Sequence, residues 1–253
     1  MKKLIYLTLL SVLLGCSDKK PQELVQISTI DALLQGVYDG NTSLQALSEN
    51  GNFGIGTLNG LDGELILLDG NFYQVRGDGK VYQPEISACT PFASVTYFNP
   101  EKDFQVDALS FIGLKSKIDS LMPGSNLFFG IKLSGKFKSV KTRSVPKQQQ
   151  PYPSLVEVTA NQPEFEATNI SGTLVGFYCP PYVTGLNVPG YHLHFLSDEK
   201  DFGGHLLAFE LKSGTLQLDQ INNFSVKLPE DEHFLNTALD QDLSDDLKQV
   251  EGE

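Results

Sequence analysis

His192-Leu193-His194, followed by His205, places three of the chain's four histidines within fourteen positions. In a strand, residues two apart share a face, so the imidazoles of His192 and His194 point the same way. Residues 198–204 (DEKDFGG) supply turn chemistry. A hairpin centred between Glu199 and Lys200 sets His194 opposite His205, with Cβ atoms about 5 Å apart. Three imidazoles on one face can reach a single ion at roughly 2.0–2.1 Å per Zn–N bond. Three neutral nitrogen ligands with an open coordination position describe a catalytic Zn2+ site better than a closed structural one. The plain alternative is three unrelated histidines on a half-buried hairpin. A cupin-type arrangement of His-x-His, Glu and a distant His fits less well. Glu199 falls at the turn tip, and the third histidine comes too soon. His233 lies in an acidic stretch and reads as solvated.

Two more side chains have the right chemistry. Glu64 opens an apolar run (ELILL) after an Asp-Gly turn, where it is either a working carboxylate or simply exposed at a strand mouth. Arg143 stands in KFKSVKTRSVPK, a pattern usual for a solvated strand face. The chain, however, has 17 lysines and only two arginines, Arg76 and Arg143. Where lysine is the default cation, an arginine marks a need for a planar, bidentate fork.

The elements that position these residues are strand-rich. Residues 28–37 (STIDALLQGV) read as a short helix capped by Ser28 or Thr29. Residues 52–81 read as a meander of short strands. Asn59-Gly60, Asp62-Gly63, Asp69-Gly70 and Asp78-Gly79 punctuate it. Residues 92–98 form another strand. Residues 107–121 carry helical apolar spacing at Leu109, Ile112, Leu114, Ile118 and Leu121, stopped by Pro123-Gly124. Residues 126–145 read as one long strand or two, followed by a Gln/Pro-rich loop at 146–153 and a short helix at 155–160. Strands follow at 165–178, 191–195, 205–211 and 215–218. The sum is an α+β chain. A division near residues 150–165 gives an N-terminal α+β subdomain (25–160) and a C-terminal β-rich subdomain with an acidic tail (161–253).

The 253 residues are 40% apolar and 20% charged, as in an ordinary packed domain. A formal net charge of −12 without a basic stripe excludes nucleic-acid binding on electrostatic grounds. Residues 1–16, MKKLIYLTLLSVLLGC, join a positive start to a short apolar run that ends in Leu-Leu-Gly-Cys. This resembles a bacterial lipoprotein signal, which implies that residues 1–15 are removed and Cys16 becomes the lipidated first residue; the plain alternatives are an uncleaved N-terminal anchor or a secretory signal cut elsewhere. Removal leaves 17 basic against 31 acidic residues, a mature charge of −14. Residues 16–24 then form a polar tether, and the protein belongs to the cell envelope, held to the membrane through the lipid alone. Cys89 and Cys179 remain, either paired in an oxidising compartment or as two buried thiols.

Four separated blocks carry a family resemblance: FGIGTLNGLDGELILLDGNFYQV (53–75), TPFASVTYF (90–98), KTRSVPKQQQPYPSL (141–155) and GTLVGFYCPPYVTGLNVPGYHLHFLSDEKDFGGHLLAFEL (172–211). They keep the order found in bacterial alpha-acetolactate decarboxylases and span about residues 25–251. The resemblance implies that His192, His194 and His205 ligate zinc. It also makes Glu64 and Arg143 active-site residues and puts the Thr57 hydroxyl near the metal. A glutamate near the C-terminus folds back to the metal; Glu251 fits best, with Glu253 as the fallback, although LSDDLKQVEGE alone reads as disordered. The resemblance further implies two mixed sheets, with the metal site on a C-terminal β-hairpin near their junction, and a homodimer. One departure is Tyr178-Cys179, where the family has Trp-Thr or Trp-Ser; it is expected to reshape a pocket wall.

The implied reaction suits these residue types. Acetolactate is a β-keto acid, so loss of CO₂ leaves an electron pair that delocalises into the ketone as an enediolate, and no organic electron sink is needed. A metal holds that charge as a Lewis acid, a glutamate returns a proton to carbon, and an arginine fork holds the carboxylate. The expected activity is conversion of (S)-2-acetolactate to (R)-acetoin. The competing reading is a lipid-anchored, cupin-like module that binds metal or a small solute without turnover.

Overall fold

The computed structural model describes residues 22–251. Residues 1–15, Cys16, most of the tether and Glu253 lie outside them. The chain opens with β1 (Glu23–Ile27), α1 (Ile30–Leu34), β2 (Thr42–Ser43) and α2 (Leu44–Ser48). The meander follows as β3 (Phe53–Thr57), β4 (Glu64–Leu68), β5 (Asn71–Val75) and β6 (Val81–Tyr82). Next come β7 (Cys89–Thr90), β8 (Ala93–Thr96), β9 (Asp103–Asp107), α3 (Phe111–Leu121), β10 (Phe128–Arg143) and α4 (Leu155–Thr159). The remainder is β11 (Glu164–Cys179), β12 (Gly190–Ser197), β13 (Gly203–Ile221), β14 (Asn223–Lys227), α5 (Glu232–Asn236) and α6 (Ser244–Glu251).

Local chemistry explains the boundaries. The Asp69-Gly70 link between β4 and β5 takes positive φ at both residues (50° and 81°), which Asp-Gly tolerates and a tight hairpin turn demands. Thr29, not Ser28, caps α1 by accepting from the Ala32 amide. Ser154 and Glu157 form a reciprocal capping box on α4. Ser110 caps α3, so that helix starts later than the apolar spacing suggests; Asp107 instead ends β9. Leu114 and Ile118 carry its buried face, whereas Ile112 is 78% exposed.

The first sheet has the order β14-β1-β8-β3-β4-β5-β6, antiparallel except for the parallel pair β1–β14. In the second, β10, β11, β12 and β13 pair in turn, and β10 also pairs with β13, closing a small barrel; β9 adds to the outer edge of β13. Ser213-Gly214 does not interrupt β13, which runs unbroken from Gly203 to Ile221. Gly214 lies opposite Gly135 of β10, where a Cβ on Gly135 would come 2.4 Å from the Ser213 carbonyl oxygen. The close approach of these strands therefore requires glycine.

Side chains alternate across the barrel wall. Phe129, Ile131, Leu133, Leu174, Leu193 and Phe195 join one core with Leu114 and Ile118 of α3. Their neighbours Phe128, Val175, Phe177 and Leu196 pack against Phe53, Ile55, Ile66 and Val75 of the first sheet. His192 and His194 share the alternation of Leu196, so both point out of the barrel toward the first sheet.

Three sequence expectations need correction. Residues 23 and 24 are not tether: they open β1, and Leu24 is fully buried against the first sheet's partner layer. The sheets do not divide at residue 160, because β9 and β10 belong with β11–β13, and β14 belongs with β1. The loop around 144–163 joins two antiparallel partners, a contact that sequence order hides. The acidic end is not a disordered tail but carries α5 and α6. Leu243, Leu247 and Val250, spaced by four and three, form one apolar face that packs on Leu155 and Val188. Burying each contributes about 1.5–3 kcal/mol relative to exposure.

Candidate active site and metal centre

The β12–β13 turn is built by its own side chains. The Ser197 hydroxyl donates to the Asp201 carboxylate and accepts from the amides of Asp201 and Phe202. Lys200 takes φ 58° and Gly204 φ 129°. The Gly204 position has no room for a side chain, since a Cβ there would lie 2.6 Å from the Arg143 carbonyl oxygen. With the turn in place, His194 pairs with His205, as the sequence spacing predicts. His205 pairs in turn with Arg143 at the end of β10. Arg143, His205 and His194 thus form one row across three strands, and His192 lies two residues along on the same face.

The three imidazoles converge. Ring centroids are 5.0–5.6 Å apart, and their ligating nitrogens lie within 4.8 Å of one another. His194 and His205 are buried, His192 half-buried. The His194 Nδ1 lies 3.1 Å from the Leu65 carbonyl oxygen of β4. A carbonyl only accepts, so Nδ1 carries the hydrogen and Nε2 presents a bare lone pair. That Nε2 is buried without a hydrogen-bond partner, as expected of an atom shaped to ligate. Burial pushes all three histidines below their ordinary pKa, His194 and His205 strongly, and the Arg143 guanidinium pushes in the same direction. Three neutral donors on one face fit a divalent metal ion.

Glu64 and Thr57 face each other across β3 and β4 at the same pocket. Glu64 Oε2 lies 3.4 Å from His194 Nε2. Burial raises the Glu64 pKa to about 8; Arg143 opposes the rise and Glu251 adds to it. Burial thus favours the protonated form of this carboxyl group near neutral pH. The Thr57 hydroxyl donates to the Gly63 carbonyl at 2.7 Å, leaving its oxygen as an acceptor on the pocket wall. Arg143 is 7% exposed; its Nη2 donates to the Val250 carbonyl and lies 3.2 Å from His205 Nε2. Glu251, from the end of α6, brings Oε2 within 3.6 Å of His205 Nε2.

Every nominated side chain among the described residues therefore lines one pocket. The rest of that pocket was not read from the sequence. Ile30 and Leu33 of α1, Phe92, Val145 and Leu155 form apolar walls. Phe92, Val145 and Leu155 fall inside the family blocks and Ile30 and Leu33 outside them, and none stood out, because an apolar wall residue has the same pattern as a core residue. The Tyr178-Cys179 departure does not reshape the wall. Tyr178 faces the barrel core and donates to the Ser125 carbonyl, while Cys179 packs in the inter-sheet core; neither lines the pocket. Cys89 and Cys179 are both free. Glu199 is exposed at the turn and stands outside the histidine cluster, against the cupin arrangement.

Comparison with known proteins identifies the family. The family model described as alpha-acetolactate decarboxylase matches residues 24–241. A relative of that name from Methanosarcina mazei is 45% identical over 236 residues, 93% of this chain and 82% of the relative. The Bacillus subtilis strain 168 relative is 40% identical over 240 residues, 94% of each chain. The crystal structure of alpha-acetolactate decarboxylase from that strain superposes with a TM-score of 0.89, covering 91% of this chain and 100% of that one at 40% identity. A Staphylococcus aureus protein described as similar to alpha-acetolactate decarboxylase superposes with a TM-score of 0.86 at 33% identity, covering 91% and 99%. The chain belongs to the alpha-acetolactate decarboxylase family.

Proposed function

We propose that this chain decarboxylates (S)-2-acetolactate to (R)-acetoin, with zinc held by His192, His194 and His205. The observation that carries the reading is the convergence of three imidazoles, the Glu64 carboxyl group and the buried Arg143 guanidinium on one pocket. Held by the three histidines, zinc would supply a Lewis acid to stabilise the negative charge that develops on the substrate. Arg143 holds the substrate carboxylate and orients the bond to be broken. As CO₂ leaves, the bonding electron pair moves into the adjacent ketone. Glu64 then delivers its proton to the carbon that lost CO₂, from its own side only, which fixes the hand of the product. A carboxyl group with a pKa near 8 is protonated at neutral pH and can act as that acid. Thr57 offers an acceptor to a substrate hydroxyl, and Glu251 closes the pocket beside His205.

Cys16 is read as the lipidated first residue of the mature chain, preceded by a removed leader of residues 1–15. The Lys2-Lys3 start and the apolar run ending in Leu-Leu-Gly-Cys support this. The enzyme would then work in the cell envelope on acetolactate that has left the cytoplasm. The deciding experiment is acetoin formation from racemic acetolactate by purified protein beginning at Ser17. The expected result is turnover well above the spontaneous rate, lost on chelation and restored by zinc. No turnover in zinc-replete protein would favour a binding module instead.

A further inference from the structure

Residues 228–251, which carry α5 and α6, have an unusual pattern of attachment. Among the described residues, their hydrogen bonds and ion pairs to the rest of the chain fall only at the last two positions. The Val250 carbonyl accepts from Arg143, and Glu251 approaches His205. Their other polar contacts are internal: Asp231 caps α5, Asp242 accepts from Ser244, and Lys248 pairs with Asp245. Burial raises the Asp31 pKa and the nearby Asp242 charge adds to it, so the contact between these two is repulsive rather than a tie. What remains is the apolar seat of Leu243, Leu247 and Val250. Outside α6, a groove of about 330 Å³ runs between Leu247 and Lys248 on one side and Pro181, Val188 and Pro189 on the other. Glu251 lines both this groove and the active-site pocket.

We propose that residues 228–251 are a hinged strap over the pocket. Arg143 latches the strap through the Val250 carbonyl, and Leu247 is a positioning residue that acts through Glu251. When the strap lifts, groove and pocket become one passage for substrate and products. When it seats, Glu251 stands at His205 and water is excluded. A segment with so few polar ties opens at lower cost than the sheets beneath it. The passage role rests on the decarboxylase reading, but the opening itself does not.

Hydrogen–deuterium exchange on the whole protein tests the strap. In Leu247→Ala, amides 244–251 should exchange on the order of 30-fold faster than in the wild type, with β10 and β13 unchanged. In Arg143→Lys, which keeps the charge but loses the fork, the same amides should exchange about 10-fold faster. Wild-type rates in Leu247→Ala, or a rise shared equally by β10 and β13, would overturn the separate strap. Wild-type exchange in Arg143→Lys would remove the latch. The positioning role requires lower kcat in Leu247→Ala with KM changed less, restored by Leu247→Met; unchanged kcat with faster exchange would refute it. If the wild type shows no acetolactate turnover, the functional reading fails, while exchange still decides whether the strap opens.

Discussion

Arg143 and His205 face each other across β10 and β13, with the guanidinium Nη2 3.2 Å from the imidazole Nε2. Burial holds His205 well below the ordinary imidazole range, and a permanent cation at that distance adds to the effect. His192 and His194 feel the same charge. The row of residues that gathers the metal donors therefore also helps to keep them free of protons.

Metal-free protein should lose stability in acid through these histidines. Their pKa is depressed by folding, so below about pH 6.5 the unfolded chain binds more protons than the native one. The contribution is present above pH 6.5 and is lost as pH falls toward the lowered native values. The denaturant midpoint of chelator-stripped wild type relative to His205→Gln should fall between pH 8 and 5, a difference from which the Glu64 contribution common to both cancels. A constant difference would remove His205 from the account.

Glu64 has the opposite sign. Its native pKa is raised from 4.5 to about 8, so its stabilising contribution is complete below pH 4.5 and is lost as pH rises through 8. The stability of metal-free wild type relative to Glu64→Gln should therefore decline across that window. A flat difference would mean that Glu64 is ionised or solvated in the native protein.

His194→Ala should abolish both bound zinc and turnover, measured by metal analysis and acetoin formation. This residue supplies the buried, unpartnered Nε2. A metal-replete, active His194→Ala protein would sink the whole ligand assignment.

Glu64→Gln and Arg143→Ala should keep the metal and lose about 10²-fold or more in turnover, the usual scale for a lost general acid or a lost electrostatic clamp. Near-normal rates in either variant would refute that residue's role.

Cys16→Ser should eliminate incorporation of a fatty-acid analogue and release the protein from the membrane fraction. Labelling that persists in the variant would rule out Cys16 as the modified residue.

The histidine pairing was legible because a strand's period of two and a turn-forming run constrain a hairpin within a few residues. The meander was legible for the same reason, as its Asp-Gly links are local chemistry. Glu64, Arg143 and Thr57 were nominated through the family blocks and Glu251 through the family's C-terminal glutamate, since on pattern alone each had a plain structural alternative. Closure of the barrel could not be read, because the β10–β13 pairing joins residues more than sixty positions apart and leaves no periodic trace. Nor could the seat of α6: three apolar residues in an acidic stretch do not announce which surface they will cover. Local rules thus set the strands, turns and metal-donor spacing. Long-range packing set the row from Arg143 through His205 to His194, the desolvation that neutralises the histidines and protonates Glu64, and the return of Glu251 to the pocket. Those properties depend on which distant surfaces exclude water from one another, and that is decided only when the whole chain has packed.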